Sequence, residues 1–412
     1  MTSSAVRSAP SNTLVLLATL TVQSLVAMAL LTLPVVAPAV AQSVQISATY
    51  VGLYIAIVYA GAMTASVMAG AMVRRFGAIR ASQVALAVCA LGLFLCMIPS
   101  AWSMAVGAVF VGLGYGPITP ASSHLLARTT PAHRMSLVFS LKQTGVPLGG
   151  LFAGLIVPGL AGWSSWQTAF ACVGLANLLC AVAIQPLHSS LDSDRDVTQR
   201  LTVGTGLSGP LSLVFRHKSL SVLAAVSFLF SIAQLSLLTY LVTFLHEDLG
   251  IGLVKAGFML AVVQAAGVTG RLLWGYLSDR YLGATRMLIV LALIIAICAA
   301  LSPFLKHLDA AVLTFVVLVL FGASAVGWNG VYLAEVARQA PKGMASVATG
   351  GTLALTFMGV VVGPPVFGLI AGLTGSYGMA YGSLLVPAGL CLWLLWRYRT
   401  AFLASDDAEA KP

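Results

Sequence analysis

The sequence predicts an all-α membrane protein of twelve transmembrane helices, arranged as two pseudo-symmetric six-helix bundles. Three observations carry that prediction. The 412 residues are 59% hydrophobic and only 8% charged, whereas a soluble domain carries roughly 25% charged residues. So little charge cannot coat a water-facing surface of this size, and lipid must be the solvent for most of it. Apolar runs of about 20 residues, the length that crosses a hydrocarbon core, recur twelve times, and the second six repeat the first.

The runs lie near 13–36, 48–73, 82–99, 103–127, 137–159 and 166–186, then near 219–244, 253–275, 287–304, 311–334, 345–371 and 379–396. Between the two sets, a polar stretch holds Asp192, Asp194, Arg195, Asp196, Arg200, Arg216 and Lys218. It reads as a solvated cytoplasmic linker, 187–218. The predicted domains are therefore an N-terminal bundle, 1–186, and a C-terminal bundle with a short cytoplasmic tail, 219–412. Forty glycines fit close helix packing in a bilayer. The cysteines, Cys89, Cys96, Cys172, Cys180, Cys298 and Cys391, fall inside apolar runs without metal-ligand spacing and read as small core residues. No metal or cofactor is expected.

The net charge of +10 does not point to nucleic acid, because the basic residues form no patch with interleaved aromatics. They cluster in short loops, and cytoplasmic loops of membrane proteins collect Lys and Arg. With the N-terminus inside, the inner segments hold Arg7, Arg74, Arg75, Arg80, Arg128, Arg134, Arg195, Arg200, Arg216, Lys218, Arg280, Arg286, Arg338, Lys342, Arg397, Arg399 and Lys411. The outer ones hold Lys255 and Lys306 beside Glu247, Asp248 and Asp309. Both termini are expected in the cytoplasm, with the chain multi-pass in a bacterial inner (plasma) membrane. Arg7, the first apolar run and Ala39-Val40-Ala41 imitate a secretory signal with its cleavage site. Cleavage would leave eleven spans and break the repeat, so the run is read as the first span.

The repeat is direct. Gly52 to Arg75 aligns without gaps on Gly257 to Arg280, pairing Tyr59 with Gln264 and Gly70 with Gly275. Gly112, Arg128, Pro131 and Ser136 match Gly322, Arg338, Pro341 and Ser346. Gly145, Gly149 and Gly154 match Gly359, Gly363 and Gly368, and Gln23 falls opposite Gln234. Parallel six-span repeats imply two bundles and a substrate site at mid-membrane.

The loop after span 8, Gly275 to Arg286 (GYLSDRYLGATR), resembles the signature loop of the major facilitator superfamily. With the span count, repeat and linker, the resemblance covers essentially the whole chain. It implies a secondary transporter working by alternating access. It also implies a lock on the inner gate made by Gly275, Asp279 and Arg280, with Gly70 and Arg75 as the first-half counterparts. Gly275 would let two helix ends approach. Asp279 would accept backbone N–H groups at a helix start or pair with an arginine. The first-half copy has Arg74 where the family has aspartate, so gating is expected to rest mainly on Asp279 and Arg280. The glycine-proline stretches of spans 5 and 11 read as packing faces.

No Asp or Glu precedes Asp192, and none is read deep within a later span. Two cations do sit within spans: Lys142 in span 5 and Arg271 in span 8, one helical turn before Gly275. Intramembrane charge is costly and marks function by default. An anionic substrate is the simplest missing partner, and an arginine fork suits a carboxylate. The resemblance sharpens this, because monocarboxylate and oxalate carriers of the superfamily bind substrate with a span 8 arginine at the position of Arg271. The sequence lacks those carriers' span 8 aspartate, having Gly267 and Val268 there. It also lacks the span 11 lysine, having Thr352 and Thr356; Lys142 is the candidate replacement. The blander reading has both cations snorkelling to the interface or bonding helix carbonyls.

Gln23, Tyr59, Gln143, Gln234, Tyr240, Gln264, Trp328 and Asn329 are the polar mid-span candidates for a cavity wall; singly, each reads as interhelical glue. His124, near the inner end of span 4, is the candidate proton carrier, or else an interfacial histidine beside Arg128. The expected function is secondary transport of a small organic anion, a carboxylate, with a coupling proton or counter-anion left open and a monomer expected. Export of hydrophobic compounds is the alternative within transport, and a non-transporting membrane sensor the remote one. An enzyme is not expected: no zinc-protease helix, serine–lysine pair with a partner base, metal set or phosphate loop is present.

Overall fold

The computed structural model describes residues 11–131, 134–198, 208–306, 311–341 and 344–398. Arg7, Arg200, Asp309, Lys342, Arg399 and Lys411, counted above among the loop charges, lie outside them. Among the described residues there is no β-strand, and twelve helices are long and apolar enough to cross a membrane. They are α1 (Asn12–Val35), α2 (Ala48–Phe76), α3 (Ala78–Cys96), α4 (Ala101–Thr129), α5 (Leu141–Trp163) and α6 (Trp166–Leu191). The second set is α7 (Lys218–Asp248), α8 (Leu253–Leu282), α9 (Ala284–Phe304), α10 (Ala311–Gln339), α11 (Val347–Thr374) and α12 (Tyr377–Arg397). The expected spans differ from these only at their ends.

Backbone chemistry sets several of those ends. Gly77 (φ +94°) and Gly283 (φ +75°) stand immediately before α3 and α9 in a conformation that an L side chain resists. They are not in the gapless register that pairs Gly70 with Gly275, because the second loop is one residue longer. The extra residue is absorbed in a π turn, Ser278–Leu282, at the end of α8. Three spans break near the middle, α12 at Leu384 among them. α4 is interrupted at Gly116 and Pro117, where the proline lacks the N–H a continuing helix needs. α10 is interrupted at Trp328. The register that pairs Gly112 with Gly322 puts the breaks in α4 and α10 at matching places.

The chain forms two compact units: Met1–Thr32, Ala60–Gly150 and Gln167–Gly204 make the first, and Leu33–Tyr59, Leu151–Trp166 and Thr205–Pro412 the second. Helices α1, α2 and α5 contribute to both. In lipid, helices gain little from hydrophobic exclusion and associate by close packing. In the first unit a Cβ at Gly149 would lie 2.3 Å from the Ser24 carbonyl oxygen, so α5 meets α1 backbone to backbone. In the second, Gly359 stands in the same relation to the Phe228 carbonyl of α7, at 2.3 Å. Gly149 and Gly359 therefore lie on packed faces, while Gly159, Gly162 and Gly350 face open space. Five of the cysteines are buried, and Cys172 is exposed.

Candidate functional site

In the first unit a polar cluster forms around Lys142. The residue is 1% exposed and sits in the last turn of a helical segment, Met135–Gln143, that ends at a turn on Thr144. Its Nζ donates to Thr119 Oγ1 at 3.4 Å and to Gln143 Oε1 at 3.4 Å. Thr119 Oγ1 donates to Gln23 Oε1 at 3.2 Å. Gln23 is wholly buried, and its Nε2 has no partner. Gly145 makes this possible, since a Cβ there would lie 2.9 Å from Gln23 Cβ and Cγ. Thr119 and Gln143 are exposed, so the cluster runs from a buried lysine to an open surface. Among the described residues no carboxylate pairs with Lys142.

In the second unit the cluster centres on Gln234. Its Oε1 accepts from Trp328 Nε1 at 2.9 Å and from Asn329 Nδ2 at 3.3 Å. Trp328 is fully buried, stacked on Phe230 with ring centroids 5.2 Å apart. Half-buried Arg271 donates from Nη2 to the Val326 carbonyl at 3.4 Å, two residues before the break in α10. The register that pairs Arg128 with Arg338 pairs Thr119 with Asn329. The Gln23–Thr119 and Gln234–Asn329 contacts are therefore equivalents, each at a broken span. Lys142 has no cationic equivalent: in the register of Gly145 and Gly359 its counterpart is Thr356, which donates to Ser227 Oγ at 2.9 Å. Thr119 was not singled out from the sequence, although the repeat register pointed to it through Asn329.

Other expected wall residues fall elsewhere. Tyr240 is fully buried. Its hydroxyl accepts the Gly52 N–H at 2.9 Å and donates to the Thr49 carbonyl at 2.6 Å. With both capacities spent on backbone, it is a packing pin rather than a cavity wall. Tyr59 packs near Phe357, ring centroids 6.2 Å apart. Gln264, its repeat equivalent, is 1% exposed, and its Oε1 has no partner.

The two gate loops are held differently. Open space faces Gly275 and nothing lies within 4 Å of a Cβ built there; at Gly70 the nearest atom is Arg74 Nη1 at 3.9 Å. In this structure each glycine lies on an unpacked helix face. Asp279 and Arg280 are exposed on the π turn. Among the described residues Asp279 makes no hydrogen bond or ion pair. Arg75 lies over the Phe76 ring at 5.5 Å.

The first-half loop is instead held by a carboxylate from beyond α6. Asp192, read from sequence as part of a solvated linker, is buried. Its Oδ1 accepts the Ile79 N–H at 2.8 Å and its Oδ2 the Arg80 N–H at 2.9 Å, capping α3. His188 Nδ1 lies 2.7 Å from the same Oδ2, and the Asp196 N–H reaches the Arg74 carbonyl at 2.7 Å. Asp192, 118 residues downstream of Arg74, is the carboxylate that this loop does carry. His124 and Arg128 both meet Asp194, at 2.7 Å and 2.5 Å. Partial burial pushes the Asp194 carboxyl up, but the His124 hydrogen bond and the Arg128 charge outweigh it and leave the group below its ordinary value.

One carboxylate lies four residues before the end of a later span. Glu335, in α10, is fully buried. It pairs with Arg338, accepts from Gln339 Nε2 at 2.9 Å and from Thr285 Oγ1 at 3.4 Å. The estimated span ended one residue before it.

This architecture has known counterparts. The family model described as Major Facilitator Superfamily matches residues 19–353. The chain belongs to the Major Facilitator Superfamily. As a member it is a multi-pass membrane transporter and not an enzyme. Its superfamily relatives include a gentisate transporter of Corynebacterium glutamicum, 25% identical over 323 residues, covering 76% of this chain and 71% of that one. A benzoate transport protein of Acinetobacter baylyi is 21% identical, covering 79% and 75%. A hexuronate transporter of Bacillus subtilis is 22% identical, covering 88% and 87%. Among solved structures, a bacterial homolog of the human lysosomal transporter Spinster, inward-facing and occupied, aligns with TM-score 0.74 at 16% identity, covering 97% of this chain and 98% of that one. A nucleoside transporter aligns with TM-score 0.74 at 15% identity, covering 95% and 99%. These structural likenesses speak to the fold alone.

Proposed function

We propose that this transporter is a secondary carrier of a small organic anion, a carboxylate, working by alternating access across a bacterial inner membrane. The observation that carries the reading is Lys142, a buried cation bonded only to neutral groups and next to an unused amide donor on Gln23. A buried charge needs a partner, and the unpartnered atom beside it, Gln23 Nε2, is a donor. A carboxylate supplies the acceptors. The relatives named for gentisate, benzoate and hexuronate transport all carry acids, which supports the same substrate class. Broken helices at mid-membrane are where such carriers build their sites, and α4 and α10 both break beside the glutamine clusters. Arg271, beside the break in α10, is the second cation assigned to substrate.

The lock at Gly275, Asp279 and Arg280, with Gly70 and Arg75 opposite in the repeat, belongs to the same proposal, as do a monomeric state, halves joined by the 187–218 linker, and cytoplasmic termini. The positive-inside charge pattern supports the last of these. The test is thermal unfolding of the purified protein against mono- and dicarboxylates, inorganic anions, sugars and lipophilic cations. A ligand at a hundredfold excess over its Kd stabilises by about 2.7 kcal/mol. Carboxylates should shift the melt, and Lys142→Gln and Arg271→Gln should abolish the shift. A shift by lipophilic cations alone, or one unchanged in both variants, overturns the reading.

A further inference from the structure

We propose that the second unit carries a binding site for the phosphate headgroup of an anionic phospholipid, built by Lys218 and Arg397 at Tyr398, with Arg216 flanking.

Three segments of that unit converge there. Lys218 opens α7 and Arg397 closes α12. The two helices pack side by side, with Cys391 Sγ donating to the Val226 carbonyl at 3.7 Å. Their ends meet on one ring: Lys218 Nζ lies 4.9 Å from the Tyr398 ring centroid, and Arg397 Cζ lies 5.7 Å from it. The short helix Ser208–Arg216 leads into α7 and ends two residues before Lys218. It is held on α11, since a Cβ at Gly351 would lie 2.4 Å from the Pro210 carbonyl oxygen and 2.7 Å from Val214 Cγ2. Leu213 and Val214 are buried, whereas Phe215 and Arg216 are exposed.

Cations gathered on one ring repel unless an anion joins them, and the face of a tyrosine offsets only part of that repulsion. No Asp or Glu occurs along Ser208–Arg216, Lys218–Thr243 or Leu385–Arg397. Among the described residues no carboxylate pairs with any of the three cations. All three are exposed, so an anion reaches them from outside. A phosphate diester fits, because an arginine fork takes two of its oxygens and a lysine adds a point charge.

The level of the cluster selects a lipid phosphate over a free one. The cations stand at the first residue of one span and the last of another. Trp393, one turn before Arg397, is 56% exposed, and Phe215 is 65% exposed. Exposed aromatic rings at span ends belong to the headgroup layer, and they give acyl chains a surface to lie on. An anionic headgroup is favoured over a zwitterionic one, because the cluster offers no carboxylate to a choline or ethanolamine nitrogen. The Tyr398 ring, the other group that would take such a cation, is already engaged by Lys218 and Arg397. Basic clusters at the ends of spans bind anionic headgroups in this way.

The test is thermal unfolding of the purified full chain in a neutral detergent, titrated with phosphatidylglycerol, phosphatidylcholine or inorganic phosphate. Phosphatidylglycerol should raise the melting temperature saturably, and the other two should not. Lys218→Gln/Arg397→Gln should weaken the apparent affinity about 25-fold, at roughly fivefold for each basic residue near an anionic surface. Arg74→Gln/Arg286→Gln removes the same charge from two other exposed arginines and should leave the affinity unchanged. Lys218→Arg/Arg397→Lys keeps the charge and should keep the binding, which separates loss of the site from loss of the fold. Equal weakening in the two glutamine pairs, or none in the first, overturns the proposal in favour of diffuse charge attraction. An equal shift with phosphatidylcholine overturns it too, and a shift with inorganic phosphate alone reassigns the cluster to a free anion. No response in the wild type also overturns it; if Asp406→Asn/Asp407→Asn/Glu409→Gln then responds, the occupant is the chain's own acidic tail.

Discussion

Asp192→Asn is the most informative single change in the first-half loop. The carboxylate takes the Ile79 N–H on one oxygen and the Arg80 N–H on the other, at 2.8 Å and 2.9 Å. An amide has one oxygen, so the variant satisfies one of these N–H groups and turns its own NH2 against the other. Three losses combine. A lost cap costs about 1 kcal/mol. A negative charge removed from a helix N-terminus costs roughly 0.3–2 kcal/mol. A buried N–H left unpaired costs about 1–3 kcal/mol. They overlap, and a total of about 2–4 kcal/mol follows. At roughly 2–4 °C per kcal/mol for a cooperative unit of this size, thermal unfolding in detergent should drop by roughly 4–16 °C. Asp279→Asn is the matched control, exposed and without a partner among the described residues; it should stay within about 0.5 kcal/mol of wild type. Equal shifts in the two variants, or a larger one at Asp279, would refute the assignment of the capping carboxylate to Asp192.

Other changes test neighbouring arguments. Because the Asp194 carboxyl is depressed in the folded chain, its stabilisation is full above the ordinary carboxylate value, about 3.9, and is lost as pH falls through the lower folded value. Melting curves from pH 6 down to pH 3 should therefore show wild type and Asp194→Asn converging at the acid end; a gap that widens there counts against the ion pair. Arg338→Gln should destabilise more than Glu335→Gln, by up to about 3–5 kcal/mol, since Glu335 has no exposed side-chain surface while Arg338 keeps 39% and can turn to water; chemical denaturation of the two variants decides the order. Gly52→Ala would put a Cβ 2.3 Å from the Pro364 carbonyl oxygen and the Tyr240 hydroxyl, an overpacking cost of about 1–3 kcal/mol. Gly275→Ala, facing open space inside a helix, should be neutral or stabilise by up to about 1 kcal/mol; the opposite order would show that the glycine packing is misassigned.

The spans were legible because lipid imposes one rule on every one of them: about 20 apolar residues with the backbone bonded internally. The clusters were half legible. Gln23, Lys142 and Gln143 stood out as polar residues in apolar runs, and so did Gln234, Trp328 and Asn329. Thr119 did not, because a threonine bonding its neighbours is unremarkable in a membrane helix. Asp192 was hidden for a different reason. Its partners are backbone N–H groups 113 and 112 residues away, and no composition window joins a linker aspartate to the start of a distant helix. Glu335 was lost to a boundary one residue short, where the apolar run stops but the helix goes on to Gln339.

The repeat explains which features survive divergence between the halves and which do not. Backbone demands recur at matched positions: the breaks in α4 and α10, the left-handed glycines before α3 and α9, the close approach at Gly52 and at Gly257, where a Cβ would lie 2.4 Å from Pro158 Cγ. These are demands of backbone geometry and close packing, and both halves meet them. Charge does not recur. Lys142 faces Thr356 in register, Arg74 faces Asp279, and the partner of the inner arginine is Asp194 in one half and Glu335 in the other. The glycines recur in both halves, and the proposed substrate cation stands in one. The repeat does not explain a buried cation present in one half alone, and the proposed substrate role does.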